Sequence, residues 1–168
     1  MKKIGIFYGS SSGCTASVAE KIGKALGVPA NQIKDIAKAS ADDFDAYEVL
    51  LLGSSTWGDG DLQDDWYDII SDLKSKDFSG KVVSFFGCGD SDSYPDTFCG
   101  GLKELYDLFE KTGANLVGRV SIDGYNCSDS QAIVDGAFVG LALDEDNEDD
   151  LTDERIASWV ESLKPSVA

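Results

Sequence analysis

The run Val49-Leu50-Leu51-Leu52-Gly53 contains no polar side chain. A strand sends alternate side chains to opposite faces, so an all-apolar strand must be covered on both. That requirement selects a parallel sheet sandwiched between helices. The rest of the chain supplies the helices. Strand-like segments at 3–8, 32–36, 48–53, 81–87 and 115–120 alternate with segments of helical period. The first helix starts near Thr15 and aligns Val18, Ile22, Ala25 and Leu26. A short helical turn is capped by Ser40, with Asp43 three residues on. Leu62, Trp66, Ile69, Ile70 and Leu73 mark another helix, and Leu102, Leu105, Tyr106 and Phe109 the next. The last carries Ile156, Trp159, Val160 and Leu163, with Thr152 as its N-cap. Right-handed crossovers between such units predict an α/β three-layer sandwich around a five-stranded, doubly wound parallel sheet, one domain over 1–168. After the fifth strand, "SIDGYNCSDSQAIVDGAFVGLALDEDNEDD" is too long for a plain loop, and its "AFVGLAL" reads as strand. An insertion interrupting the fifth strand accounts for both.

Charge narrows the partners. Asp and Glu number 31 against 14 Lys and Arg, a net charge of -17. Nucleic acid and anionic membranes are thereby disfavoured, and a basic partner is favoured over either. Acidity serving solubility alone is the competing reading. No histidine is present, so neither a Ser-His nor a Cys-His nucleophile pair is available. Cys14, Cys88, Cys99 and Cys127 lack C-x-x-C spacing, which argues against zinc and predicts reduced thiols. The acidic run from Asp144 to Asp150 lacks the glycine and closing glutamate of a calcium loop and reads as a solvated face. The start "MKKIGIFYG" does not read as a signal peptide, and a cytoplasmic location is expected.

In an open parallel sheet, ligands bind beyond the carboxyl ends of the strands, near the point where strand order reverses. Three loops meet there: "GSSSGCT" at 9–15, "SSTWGDGD" at 54–61 and "GCGDSDSYPDTFCGG" at 87–101. The first is no Walker loop, because its glycines are one residue too close and Cys14 stands where lysine should be. A phosphatase loop fails as well, since Glu20 occupies the arginine position. What remains is either a plain serine turn or a neutral nest of backbone N–H groups and hydroxyls for one phosphate monoester. Trp57 and Tyr94, isolated among small polar residues, are placed to stack on a flat ring, although a lone tryptophan is also a common core residue. Together these features describe a site for a mononucleotide.

With those loops in that order, the whole chain resembles the flavodoxins, of the long-chain kind, whose late text is matched by "DGYNCSDSQAIVDGAFVGLALDEDN". The resemblance implies the flavodoxin-like strand order 2-1-3-4-5 and a non-covalently bound FMN. Ser10, Ser11, Ser12, Gly13, Cys14 and Thr15 would bind its phosphate. Trp57 and Tyr94 would flank the ring, and Gly58 would lie beside flavin N5. Ser55, Thr56, Gly60, Cys88, Gly89, Asp90 and Cys99 would complete the ring and ribityl contacts, and Asp146 would reach a ribityl hydroxyl. Two departures stand out: the family usually has threonine at Ser12, and asparagine or lysine at Cys14.

The implied function is low-potential one-electron transfer through quinone, neutral semiquinone and hydroquinone states, not enzymatic turnover. Partners would be basic-surfaced redox proteins such as NAD(P)H-dependent flavodoxin or ferredoxin reductases and low-potential oxidoreductases, met by a monomer. A like charge ~10 Å from the reduced ring costs ~1.7 kcal/mol at an effective dielectric of ~20, about 70 mV for one electron. The acidic surroundings therefore favour a strong reductant. An FMN-dependent quinone or NAD(P)H reductase is the alternative on the same fold.

Overall fold

The computed structural model describes residues 2–10, 13–57, 61–125, 127, 129–145 and 147–168, with Trp57 described in its backbone alone. Strand β1 (Ile4–Gly9) leads to helix α1 (Cys14–Leu26), then to strands β2 (Ile33–Asp35) and β3 (Val49–Ser54). The two-residue strands β4 (Thr56–Trp57) and β5 (Asp61–Leu62) precede the short helix α2 (Ile70–Lys74). Strand β6 (Val82–Cys88), helix α3 (Gly100–Glu110) and strand β7 (Asn115–Leu116) follow. Then come β8 (Val120–Ser121), β9 (Ile133–Val134), β10 (Ala137–Phe138) and β11 (Leu141–Leu143), and the chain closes on helix α4 (Thr152–Val167).

The main sheet runs β11-β6-β3-β1-β2, with β7 also on β6, and every pairing is parallel. This is the 2-1-3-4-5 order, with β6 fourth and β7 and β11 sharing the fifth place. β7 pairs with Val82 and Val83, and β11 pairs with Phe86, Gly87 and Cys88. Between them the chain leaves to form a small antiparallel sheet, β8-β10-β9. The expected interruption is therefore present, and "AFVGLAL" is split between the two sheets.

The all-apolar strand behaves as its composition requires. Leu50 and Leu52 join one core with Phe7, Phe85, Trp66, Leu102 and Phe109, on the side of α2 and α3. Val49 and Leu51 join the other with Ile4, Ile6, Ile22 and Trp159, on the side of α1 and α4. All four apolar side chains on β3 are fully buried, each worth about 1.5–3 kcal/mol relative to exposure.

Four details differ from the sequence reading. The single helix expected over 62–73 is a 3-10 turn at Asp64–Asp68 followed by the short α2. Leu62 has been drawn into β5 by pairing with Thr56, and Gln63 caps the turn by accepting the Asp65 N–H at 3.0 Å. Ala25 is exposed, and Ala19 takes its place on the buried face of α1. The segment expected as a strand at 115–120 is paired with the main sheet only at Asn115–Leu116. Thr152 lies inside α4 rather than capping it, and its buried hydroxyl has no hydrogen-bond partner among the described residues. Ser40 and Asp43 behave as expected, the Asp43 carboxylate accepting the Ser40 N–H at 2.9 Å.

Candidate functional site

Parallel pairing in register brings the ends of the central strands together. Gly9 lies beside Ser54, Gly53 beside Phe86, and Leu143 beside Cys88. The three expected loops therefore leave one edge of the sheet, on either side of the reversal between β1 and β3. The Ser55 N–H donates to the Gly9 carbonyl at 3.3 Å, and the Gly89 N–H to the Leu143 carbonyl at 2.9 Å, so neighbouring loops are fastened at their roots.

The first loop turns into α1 at Gly13, whose φ of 89° lies in the left-handed region that glycine enters without penalty. Ser10 Oγ accepts the Gly13 N–H at 3.0 Å. Cys14 opens the helix, and its sulfur lies 2.7 Å from that of Cys88 at the end of β6. Thr15 follows, fully buried, and its Oγ1 has no hydrogen-bond partner among the described residues. A buried hydroxyl without a partner costs about 1–3 kcal/mol. No acidic residue sits in the first turn of α1, so nothing there opposes an anion at the positive end of the helix dipole. Ser11 and Ser12 lie outside the described residues.

The second loop is shaped from beneath. Ser54 Oγ donates to the Ser55 carbonyl at 2.8 Å and accepts the Gln63 N–H at 3.1 Å, while Thr56 Oγ1 accepts the Gly101 N–H at 3.1 Å. Thr56 thereby ties this loop to the start of α3. Thr56 and Trp57 form β4, paired antiparallel with β5, so that the backbone of Trp57 lies opposite Asp61. Gly58 and Gly60 lie outside the described residues.

The third loop contributes Cys88, Gly89, Asp90, Tyr94 and Cys99. Asp90 Oδ1 accepts from the N–H groups of Asp92 at 3.2 Å and Ser93 at 3.1 Å, and from Asn147 Nδ2 at 2.8 Å. These bonds, that from Asn147 foremost, hold its carboxyl below the usual carboxylate value. Tyr94 is 59% exposed, a large apolar ring left in solvent beside the ligand edge. Cys99 is fully buried; its sulfur faces the carbonyls of Gly87 and Leu143 at 3.8 and 3.9 Å, and burial pushes its thiol pKa up.

The acidic run is not the solvated face that composition suggests. Asp144 is fully buried, where it accepts from Ser91 Oγ and, at 2.8 Å, from Asn147 Nδ2. Glu148 is buried too, paired with Arg155 at 3.2 Å. Asp149 and Asp150 alone match the expectation of exposure, and Asp146 lies outside the described residues. Ser91, Asp144 and Asn147 are thus site-shaping residues that sequence reasoning missed. The lone amide in "LDEDN" was the available signal, since one neutral donor among carboxylates is placed to bridge two of them.

Comparison with known proteins agrees with this geometry. The family description "Flavodoxin" matches residues 6–159. A flavodoxin of Helicobacter pylori is 46% identical over 169 residues, covering the whole of both chains. Flavodoxin 1 of Escherichia coli K12 is 44% identical over 160 residues, 95% of this chain and 91% of that one. The crystal structure of a Fusobacterium nucleatum flavodoxin bound to flavin mononucleotide superposes with a TM-score of 0.91 at 34% identity, again covering both chains fully.

Proposed function

The chain belongs to the flavodoxin family, and from that premise we propose that it is an electron carrier working through one non-covalently held FMN. The observation that carries this reading is the buried, unpartnered Thr15 hydroxyl at the floor of an uncharged loop that opens a helix. When bound, FMN takes up and releases electrons singly. The chain's own residues hold it and bias it. Backbone N–H groups at the start of α1, with the hydroxyls of Ser10 and Thr15, would receive the phosphate without any cation. Trp57 on its hairpin and the exposed Tyr94 would cover the two faces of the ring, leaving an edge open for electron exit. Gly58 would offer the ring a peptide that glycine allows to turn over, and Asp146 a carboxylate to the ribityl chain. The uncompensated negative charge of the surroundings would resist a further electron and keep the potential low.

The excursion from the main sheet between β7 and β11 supports assignment to the long-chain kind. No helix among the described residues is long and apolar enough to cross a membrane. Exposed Asp61, Asp64, Asp92 and Asp96 lie on or beside the ligand loops, which favours redox partners with basic docking faces; the proposed carrier meets them as a monomer in the cytoplasm. Acid extraction followed by chromatography tests the cofactor: one FMN per chain is expected, and rebinding by the apoprotein. Recovery of FAD, or apoprotein that takes up nothing, overturns the proposal. Oxidation of NAD(P)H by the isolated protein at catalytic rates would make it a reductase instead.

A further inference from the structure

Two cysteines expected beside the cofactor meet through their sulfurs, a contact that the proposed electron transfer does not require. Cys14 and Cys88 are 74 residues apart in sequence, yet their sulfurs are 2.7 Å apart. Each is held by regular structure, Cys14 as the first residue of α1 and Cys88 as the last of β6. A disulfide needs about 2.05 Å, so less than an ångström of sulfur movement closes the bond. The other two cysteines have different surroundings: Cys99 is fully buried, and Cys127 faces the Pro95 carbonyl at 3.2 Å.

We propose that Cys14 and Cys88 form a reversible intrachain disulfide that straps the phosphate-binding loop to the central sheet. The reaction is exchange with a small-molecule disulfide. Cys14, half-buried where Cys88 is buried, is the sulfur an oxidant reaches first. As the thiolate it attacks one sulfur of the small disulfide, breaks that S–S bond and expels one thiolate, leaving a mixed disulfide on Cys14. Cys88 then loses its proton and attacks Cys14 Sγ, forming the intrachain bond and expelling the second thiolate. The protein dithiol is oxidised by two electrons, the small disulfide is reduced to two thiols, and the two protons leave with them. Contact with Cys14 and then burial raise the Cys88 pKa, which suits a sulfur that stays protonated until the mixed disulfide is beside it.

The bond would join the start of α1 to the end of β6, the two elements whose ends frame the proposed phosphate site. Because it closes a long loop of chain, it also restricts the unfolded state. The oxidised form should therefore resist denaturant more than the reduced form does.

The full-length protein, purified with its cofactor in reducing buffer, is desalted and incubated anaerobically with excess oxidised glutathione. The four cysteine thiols are then counted by alkylation under denaturing conditions. The count should fall from four to two, and a non-reduced tryptic digest should join peptide 4–21 to peptide 82–103. The second peptide holds both Cys88 and Cys99, so variants assign the link: it should persist in Cys99→Ser and vanish in Cys88→Ser. The urea midpoint should rise on oxidation and return with dithiothreitol. Four thiols after treatment, a glutathione adduct on Cys14 that does not progress, or a link that survives Cys88→Ser would each overturn the proposal.

Discussion

Asn147 Nδ2 donates to Asp90 Oδ1 at 2.8 Å, joining two loops across 57 residues of chain. The same amide nitrogen reaches Asp144 Oδ1 at 2.8 Å, so one neutral side chain reconciles two carboxylates. The pKa of Asp90 is depressed, chiefly by this bond. A carboxyl lowered in the folded state stabilises fully above its unfolded value, near 4, and that contribution is lost as pH falls through the folded value. Asp90 is half-buried and still reached by solvent, so the contribution is small. Asn147→Leu should move the Asp90 carboxyl up towards its usual value, read by NMR titration of its carboxyl carbon. An unmoved titration would assign the shift to the Ser93 and Asp92 N–H groups instead.

Thr15→Val should separate stability from affinity. Valine keeps the shape but removes the buried hydroxyl that lacks a partner. The apoprotein should gain up to about 1 kcal/mol in urea unfolding, while FMN affinity drops roughly 10- to 100-fold for loss of a hydrogen bond to a charged group. Thr15→Ser should keep most of the affinity. Fluorescence-quenching titrations give the affinities, and full affinity in the valine variant would remove Thr15 from the site.

Tyr94→Ala removes a ring that is already 59% exposed. Apoprotein stability should stay within about 0.5 kcal/mol. Loss of one stacking face should weaken FMN binding by a few-fold to about tenfold. Calorimetry on the reconstituted protein measures it, and equal affinity would mean that Tyr94 faces solvent in the complex too.

Gly87 leaves no room for a side chain. A Cβ there would stand 2.2 Å from the Ser54 carbonyl oxygen and 3.1 Å from Leu102 Cδ2. Backbone cannot yield as a flexible side chain can, so Gly87→Ala should force β3, β6 and α3 apart and cost about 1–3 kcal/mol or more. Urea denaturation tests it; an unchanged midpoint would show that the strands adjust freely.

Electron transfer to a basic partner should slow as salt rises, because screening over about 8–10 Å weakens steering near physiological ionic strength. Changing Asp61, Asp64 and Asp65 to asparagine should flatten that dependence and leave FMN bound. Stopped-flow rates across a salt series decide it. A slope identical in the triple variant would assign this acidity to solubility.

What the sequence reveals depends on how far each residue's partners lie along the chain. The all-apolar run 49–53 dictates a doubly covered strand by itself, and Ser40 with Asp43 forms a cap within one turn. The glycine and serine loop after β1 likewise carries its own turn chemistry. Leu62 carried a helical period and yet became a strand, because Thr56 across the hairpin offered it a backbone partner. Asp144 looked solvated among five acidic neighbours, and Ser91, 53 residues away, made its burial tolerable. Cys14 and Cys88 are ordinary until the fold brings them together.

The division of the fifth position between β7 and β11 also sets a schedule for synthesis. A ribosome completes β6 well before it reaches Leu141, and β7 covers only the Val82–Val83 end of that strand. Until Leu141–Leu143 is translated and released, Phe86, Gly87 and Cys88 present an unpaired backbone edge, an apolar template of the kind other chains pair with. The nascent protein is thus most exposed to misassociation at the strand end where its ligand loops begin, and the last quarter of the chain acts as the cover that ends that exposure.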